Sequence, residues 1–185
     1  LDYSLVETLS ETCRHAEIGI VSGSDYDYIM QQCGFLTTKD EIKLKLHILP
    51  CNGTKHYAPP SYRDQIHKLA YKENMRRTLG DPDFKTILKK LIDYQNHSVS
   101  HYDIPLTGHF ISYRESMINW CPIGRNALNG DRDKFANFDK SFGTSTFRRT
   151  LLEQMREEFQ NARIPVEIKL GGETSFDIYP SGWDK

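Results

Sequence analysis

Apolar residues recur at helical spacing near the start of the chain, at Leu5, Val6 and Leu9, with Cys13 following, and predict an amphipathic helix over about 4–15. The run "EIGIVSG" comes next, short and apolar up to Gly23, and reads as a buried strand entering a loop. Ser24 is placed to cap a helix in "DYDYIMQQC", and Gly34 to end it. Helix, strand, loop and helix within about 35 residues point to an α/β layer with a parallel sheet. "EIKLKLHIL" alternates Ile42, Leu44, Leu46 and Ile48 with polar residues, the period of a strand with one wet face. "PCNGTKHY" turns into a further short strand, and "APPS" at 58–61 has the composition of a linker.

The pattern then changes. A helix is expected over about 61–78, and a second from "DPDF", with Asp81 as cap, Pro82 at the first helical position and a stripe of Phe84, Ile87, Leu88, Leu91 and Ile92. "GHFISYR" and "SMINWCP" read as two strands joined tightly. A helix over about 145–162 buries Phe147, Leu151, Leu152, Met155 and Phe159, and "VEIKL", "GGE" and "TSFDIYP" close as a hairpin. This second region is an α+β layer on an antiparallel sheet.

Composition narrows the function classes. The 185 residues, 38% hydrophobic and 26% charged, are those of a globular protein, and a net charge of −1 gives no whole-molecule field toward nucleic acid or acidic lipid. An anion must be recognised locally. No run approaches the roughly 18 apolar residues of a membrane span, and "LDYSLVETLSET" lacks the basic and apolar regions of a signal peptide, so a cytoplasmic protein is expected. Cys13, Cys33, Cys51 and Cys121 lie far apart and are expected to be reduced thiols.

Three arginines, Arg114, Arg125 and Arg132, flank a Pro-Ile-Gly corner. Guanidinium forks supply the paired donors that a phosphate needs, although by itself this stretch equally suits solvated rim loops. Ser175 and Asp177 alternate onto one face of the last strand, a hydroxyl and a carboxylate suited to a sugar, or to the wet face of an edge. Ser22 and Ser24 sit where a strand meets a helix N-terminus, a position receptive to phosphate. Of three Asp-x-Asp pairs, Asp81/Asp83 suits a helix cap, Asp131/Asp133 a polar loop, and Asp25/Asp27 the first turn of a helix. No His-x-x-x-His pair and no grouping of histidines with acids or cysteines at metal spacing is expected, so no metal-ligand set is expected in the chain.

Together, "IGIVSGSDYDYI", "CNGT", "YRESMINWCPIGR", the arginine seven residues on, "GGETSFDIYP" and "SGWDK" stand in the order found in eukaryotic-type phosphomannomutases of the haloacid dehalogenase (HAD) superfamily, which the chain resembles over nearly its whole length. The resemblance implies a partial HAD-like α/β core with an inserted α+β cap: residues 1–58 as the first part of the core, 59–178 as cap and 179–185 as the return to the core. It implies interconversion of mannose 6-phosphate and mannose 1-phosphate through a bisphosphate, in the supply of GDP-mannose. Arg114, Arg125 and Arg132 resemble the cap arginines that hold the phosphate not being transferred, and Ser175 and Asp177 the cap residues that meet the ligand. Ser22 resembles the superfamily's phosphate-binding hydroxyl, and Lys185 the lysine that pairs with nucleophile and phosphate.

The family's Asp-x-Asp-Gly-Thr nucleophile motif and its Gly-Asp magnesium motif have no counterpart in these 185 residues. The aspartyl nucleophile and the Mg2+ ligands are therefore expected outside this sequence, with a hexose 1,6-bisphosphate as activator and a homodimer formed through the cap. The alternatives are a sugar-phosphate phosphatase of the same superfamily and a non-catalytic module that binds a sugar phosphate or dimerises.

Overall fold

The computed structural model describes residues 3–63 and 65–183. The chain divides into two compact units, Leu1–Glu73 with Trp183–Lys185, and Asn74–Gly182. No helix among the described residues is long and apolar enough to cross a membrane.

The first unit runs α1 (Tyr3–Thr12), β1 (Ile18–Val21), α2 (Tyr26–Cys33), a 3-10 segment (Gly34–Thr38), α3 (Asp40–Lys43), β2 (Leu46–Leu49), β3 (Lys55–Ala58) and β4 (Lys68–Lys72). The sheet order is β1-β2-β3-β4. Only β1 and β2 are parallel, with Ile18 opposite Leu46 and Ile20 opposite Ile48; β3 and β4 are antiparallel additions. Cys13, Ile29, Leu36, Ile42, Leu46 and Ile48 form its core, and Tyr26 stacks on Tyr57 at 4.0 Å.

Three local expectations change here. The cap of α2 is Asp25, whose carboxylate accepts from the Tyr28 amide at 3.0 Å, one residue later than Ser24. Gly34 keeps right-handed angles, so the chain tightens into a 3-10 turn where a left-handed glycine would have left the helix. Residues 40–43 are helical and only 46–49 extended. Ile42 is buried from the helical turn and Leu46 from the first position of β2, so the alternation spans two different elements. Asp40 and Glu41 in the first turn and Lys43 in the last suit the dipole of that short helix.

The helix expected over 61–78 is also absent as such. Pro59 and Pro60 follow β3, and Lys68–Lys72 forms β4 in register with it, Lys55 opposite Lys72 and Ala58 opposite Lys68. Only Met75–Leu79 is helical. The unpaired amides of β3 reward an extended partner, which outweighs local propensity.

The second unit runs α4 (Met75–Leu79), α5 (Asp81–His101), β5 (Ile111–Tyr113), β6 (Ile118–Trp120), α6 (Asn129–Lys140), α7 (Phe147–Asn161), β7 (Val166–Gly171) and β8 (Ser175–Pro180). Its sheet, β5-β6-β8-β7, is antiparallel at every pairing. Trp120 and Phe176 stack at 4.9 Å on one face and are fully buried with Ile118 and Ile178. The Trp120 indole donates to Gln95 Oε1 at 2.8 Å, tying β6 to α5. On α5, Phe84, Ile87 and Leu91 are buried while Ile92, at the margin of the stripe, faces out.

Asp81 does not cap α5. Gly80 stands before the helix at φ 80°, and the Asp81 carboxylate pairs with both nitrogens of the Arg76 fork at 2.6 and 3.0 Å. The segment with Asp131 and Asp133 is not a loop but the start of α6, where Asp131 accepts from the Leu128 amide at 3.1 Å. Of that helix only Phe135 and Asp139 are buried, too little apolar surface to mark it in the sequence. Asp139 accepts from the backbone amide of Arg148 at 2.7 Å and from its Nε at 3.0 Å, a buried pair that ties α6 to the start of α7.

Candidate functional site

The face of the second sheet opposite the Trp120–Phe176 stack is polar. β6 and β8 are paired so that Asn119 lies directly opposite Asp177. Asn119 is buried, and its amide nitrogen donates to Asp177 Oδ1 at 2.7 Å and Ser175 Oγ at 3.1 Å, with Phe176 O at 3.4 Å. Its oxygen accepts from Arg125 Nη1 at 3.2 Å. A guanidinium only donates and a carboxylate only accepts, so a single orientation of the amide serves both. Ser175 in turn donates to Gly171 O at 2.6 Å. A Cβ on Gly171 would stand 2.8 Å from Ser175 Oγ and 2.9 Å from Asp177 Oδ2, so the bare glycine leaves room for both side chains.

Each arginine comes from a different local device. Arg114 follows β5 at a hairpin closed by its amide on Met117 O at 2.8 Å, with Glu115 at φ 65°. Arg125 follows the Cys121–Gly124 turn, in which the Gly124 amide donates to Cys121 O at 2.9 Å. The Arg125 amide reaches back to Gly108 O at 3.1 Å and fixes the side chain's root. Arg132 lies in the first turns of α6 and donates from Nε to Ala127 O at 3.1 Å.

Burial pushes the Arg125 pKa below the ordinary arginine value, and the charge of Arg114 adds to this; Cys121 opposes it, Arg132 lowers it further and Asp177 opposes again. The guanidinium stays protonated in any case. Arg114 and Arg132 thus add positive charge around a buried guanidinium, a cost that an arriving anion would relieve. Arg125, Ser175 and Asp177 are joined through Asn119 in the second unit, with Arg114 and Arg132 within electrostatic reach of Arg125.

Ser22 belongs to the first unit. It follows β1, and its hydroxyl accepts from the Ser24 amide at 3.1 Å just ahead of α2. Lys185 lies outside the described residues. Asn119, the hub of the network, was not among the residues singled out from the sequence. Its signal is an isolated amide inside the apolar run "MINWC", where a buried polar group needs partners. Asn119→Leu is expected to lower stability by about 1–3 kcal/mol, because it removes the donor and acceptor that these charged groups share. A urea unfolding curve measures this, and an unchanged midpoint would count against the network.

Among the described residues no group of three or more His, Cys, Asp or Glu side chains is placed to hold a metal ion.

A partial HAD-like core carrying an α+β cap with an antiparallel sheet is the class of fold defined here. An IMP-nucleotidase of Plasmodium falciparum shares it at a TM-score of 0.61 and 12% identity, over 97% of this chain and 43% of that one. Sequence comparison is more specific: the model of the eukaryotic phosphomannomutase family matches residues 5–185. The chain belongs to that family. It is 34% identical over 183 residues to a phosphomannomutase of Arabidopsis thaliana and 32% identical over 182 residues to one of Solanum lycopersicum, covering 98% of this chain in both cases. The chain spans 66% and 64% of the length of those relatives.

Proposed function

We propose that the chain is the sugar-phosphate-holding portion of a phosphomannomutase that interconverts mannose 6-phosphate and mannose 1-phosphate. The observation that carries this reading is the Arg125–Asn119–Asp177/Ser175 network, with Arg114 and Arg132 near enough to act on Arg125. The three arginines hold the phosphate that is not being transferred, and Ser175 and Asp177 meet the sugar hydroxyls. Ser22 and Lys185 serve the phosphate in transfer.

Chemistry in this reading uses an aspartate outside these residues. Its phosphoryl group passes to the free hydroxyl of a bound hexose monophosphate, whose proton goes to a second aspartate also outside these residues, and a bisphosphate forms. After the sugar turns round, the other phosphate returns to the first aspartate, the second gives a proton to the sugar oxygen left behind, and the isomer leaves. The arginine clamp suits such a reorienting intermediate, because there is always a second phosphate to hold. Mg2+, with ligands outside this sequence, supplies charge neutralisation at the transferring phosphate. A hexose 1,6-bisphosphate activator, a homodimer through the cap, a cytoplasmic location and a place in GDP-mannose supply complete the proposal.

The test is a coupled assay of this chain with mannose 1-phosphate, Mg2+ and a trace of hexose bisphosphate, alongside a calorimetric titration with the same sugar phosphate. Sugar-phosphate binding without turnover is the expected result, since the nucleophile is placed outside these residues. Release of inorganic phosphate independent of bisphosphate would replace the mutase reading with a phosphatase. Absence of sugar-phosphate binding would leave a non-catalytic module and overturn the proposal.

A further inference from the structure

The sequence pattern was expected to hold no His-x-x-x-His pair, and residues 97–101 of α5 correct this, for they are one. Residues four apart on a helix lie on one face, one turn above the other. Both histidines are exposed. Their rings are nearly parallel, with centroids 4.2 Å apart and planes at 26°.

The protonation of one ring follows from its partner. His101 Nδ1 lies 3.0 Å from the carbonyl oxygen of His97. A carbonyl can only accept, so the contact places the proton of a neutral His101 on Nδ1. Nε2 is then left with its lone pair. A histidine that donates one ring nitrogen to a backbone carbonyl while the other carries the lone pair is arranged as metal-ligating histidines are. The Tyr102 ring lies beside both histidine rings, its centroid 6.0 Å from that of His97 and 6.4 Å from that of His101.

We propose that His97 and His101 form a two-histidine surface site for a transition-metal dication of the imidazole-preferring kind, Cu2+, Ni2+ or Zn2+. The described residues offer no group of three such ligands, so water fills the remaining positions. Mg2+ is not its ligand, because that ion takes oxygen donors in octahedral geometry. The other close histidine pair is built differently. His47 Nδ1 contacts His56 Nε2 at 2.7 Å and its own Nε2 contacts Glu17 at 3.0 Å, so both His47 nitrogens are engaged in hydrogen bonds. That pair serves as the internal control.

The experiment titrates the full chain with Cu2+ and reads affinity by calorimetry and ligand type by electron paramagnetic resonance. One copper per chain with two nitrogen donors is expected. His97→Ala and His101→Ala should each weaken binding by about tenfold or more, because each removes one arm of the chelate. The double variant should abolish the two-nitrogen signal, while His47→Ala leaves affinity and spectrum unchanged. Both changed residues are exposed, and circular dichroism confirms that each variant is folded. Wild-type affinity in the folded double variant, loss of the site in His47→Ala, or no copper binding by the wild type would each overturn the proposal.

Discussion

Arg125→Ala is expected to weaken binding of mannose 1-phosphate by about 30- to 1000-fold, roughly 2–4 kcal/mol. The loss comes from two sources. A charge-assisted pair of donors to the phosphate disappears, and the acceptor oxygen of Asn119 loses its cation. Arg114 and Arg132 remain, so the clamp keeps positive charge but not the member tied to Asn119 and influenced by Asp177. Arg125→Lys keeps the charge and loses the fork, which separates general electrostatic attraction from bidentate recognition. Calorimetric titration checks this directly. Equal affinity in the wild type and Arg125→Ala would exclude the arginine cluster as the phosphate site.

Gly124→Ala should be the most damaging small substitution at the corner, costing on the order of 4 kcal/mol of stability. Gly124 has φ 89°, a conformation that L side chains rarely adopt. An added Cβ would stand 2.1 Å from Gly108 O, 2.8 Å from Gly108 N and 2.8 Å from Thr107 Oγ1. The two nearest obstacles are backbone and cannot rotate away. The same peptide approach carries the bond from the Arg125 amide to Gly108 O, so relief of the clash would displace the root of Arg125. The expected reading is a large drop in the urea midpoint, together with weaker sugar-phosphate binding in whatever fraction remains folded. A folded variant within about 1 kcal/mol of the wild type would show that the corner yields without cost.

Elements with a strong period and one dominant environment were legible in the sequence. α1, α2, α7 and the β7–β8 hairpin carry apolar residues on one face with turn or cap residues at their ends, and they form close to the expected positions. So do β5 and β6. The alternation in "TSFDIYP" likewise places Ser175 and Asp177 on one side of β8, with Phe176 buried on the other. Ambiguity arose where two periods share positions. The alternation from Ile42 to Ile48 fits one strand, but Ile42 is buried from a helical turn and only Leu46–Leu49 is extended. Residues 68–72 carry no dominant apolar stripe and become extended because β3 offers them a ladder. α6 was hidden because only Phe135 and Asp139 on it are buried.

Residue types and spacing thus determined the presence of the arginines, the polar pair on β8 and the family to which the chain belongs. They did so because side-chain chemistry and local periodicity are properties of short stretches. Only the tertiary structure decided which of these residues share one site. The β6–β8 register puts Asn119 opposite Asp177, and the turn at Gly124 brings Arg125 to the amide of Asn119. Asn119 and Asp177 are 58 residues apart in the chain. Their meeting is set by strand pairing and burial across the sheet, interactions that no local pattern encodes.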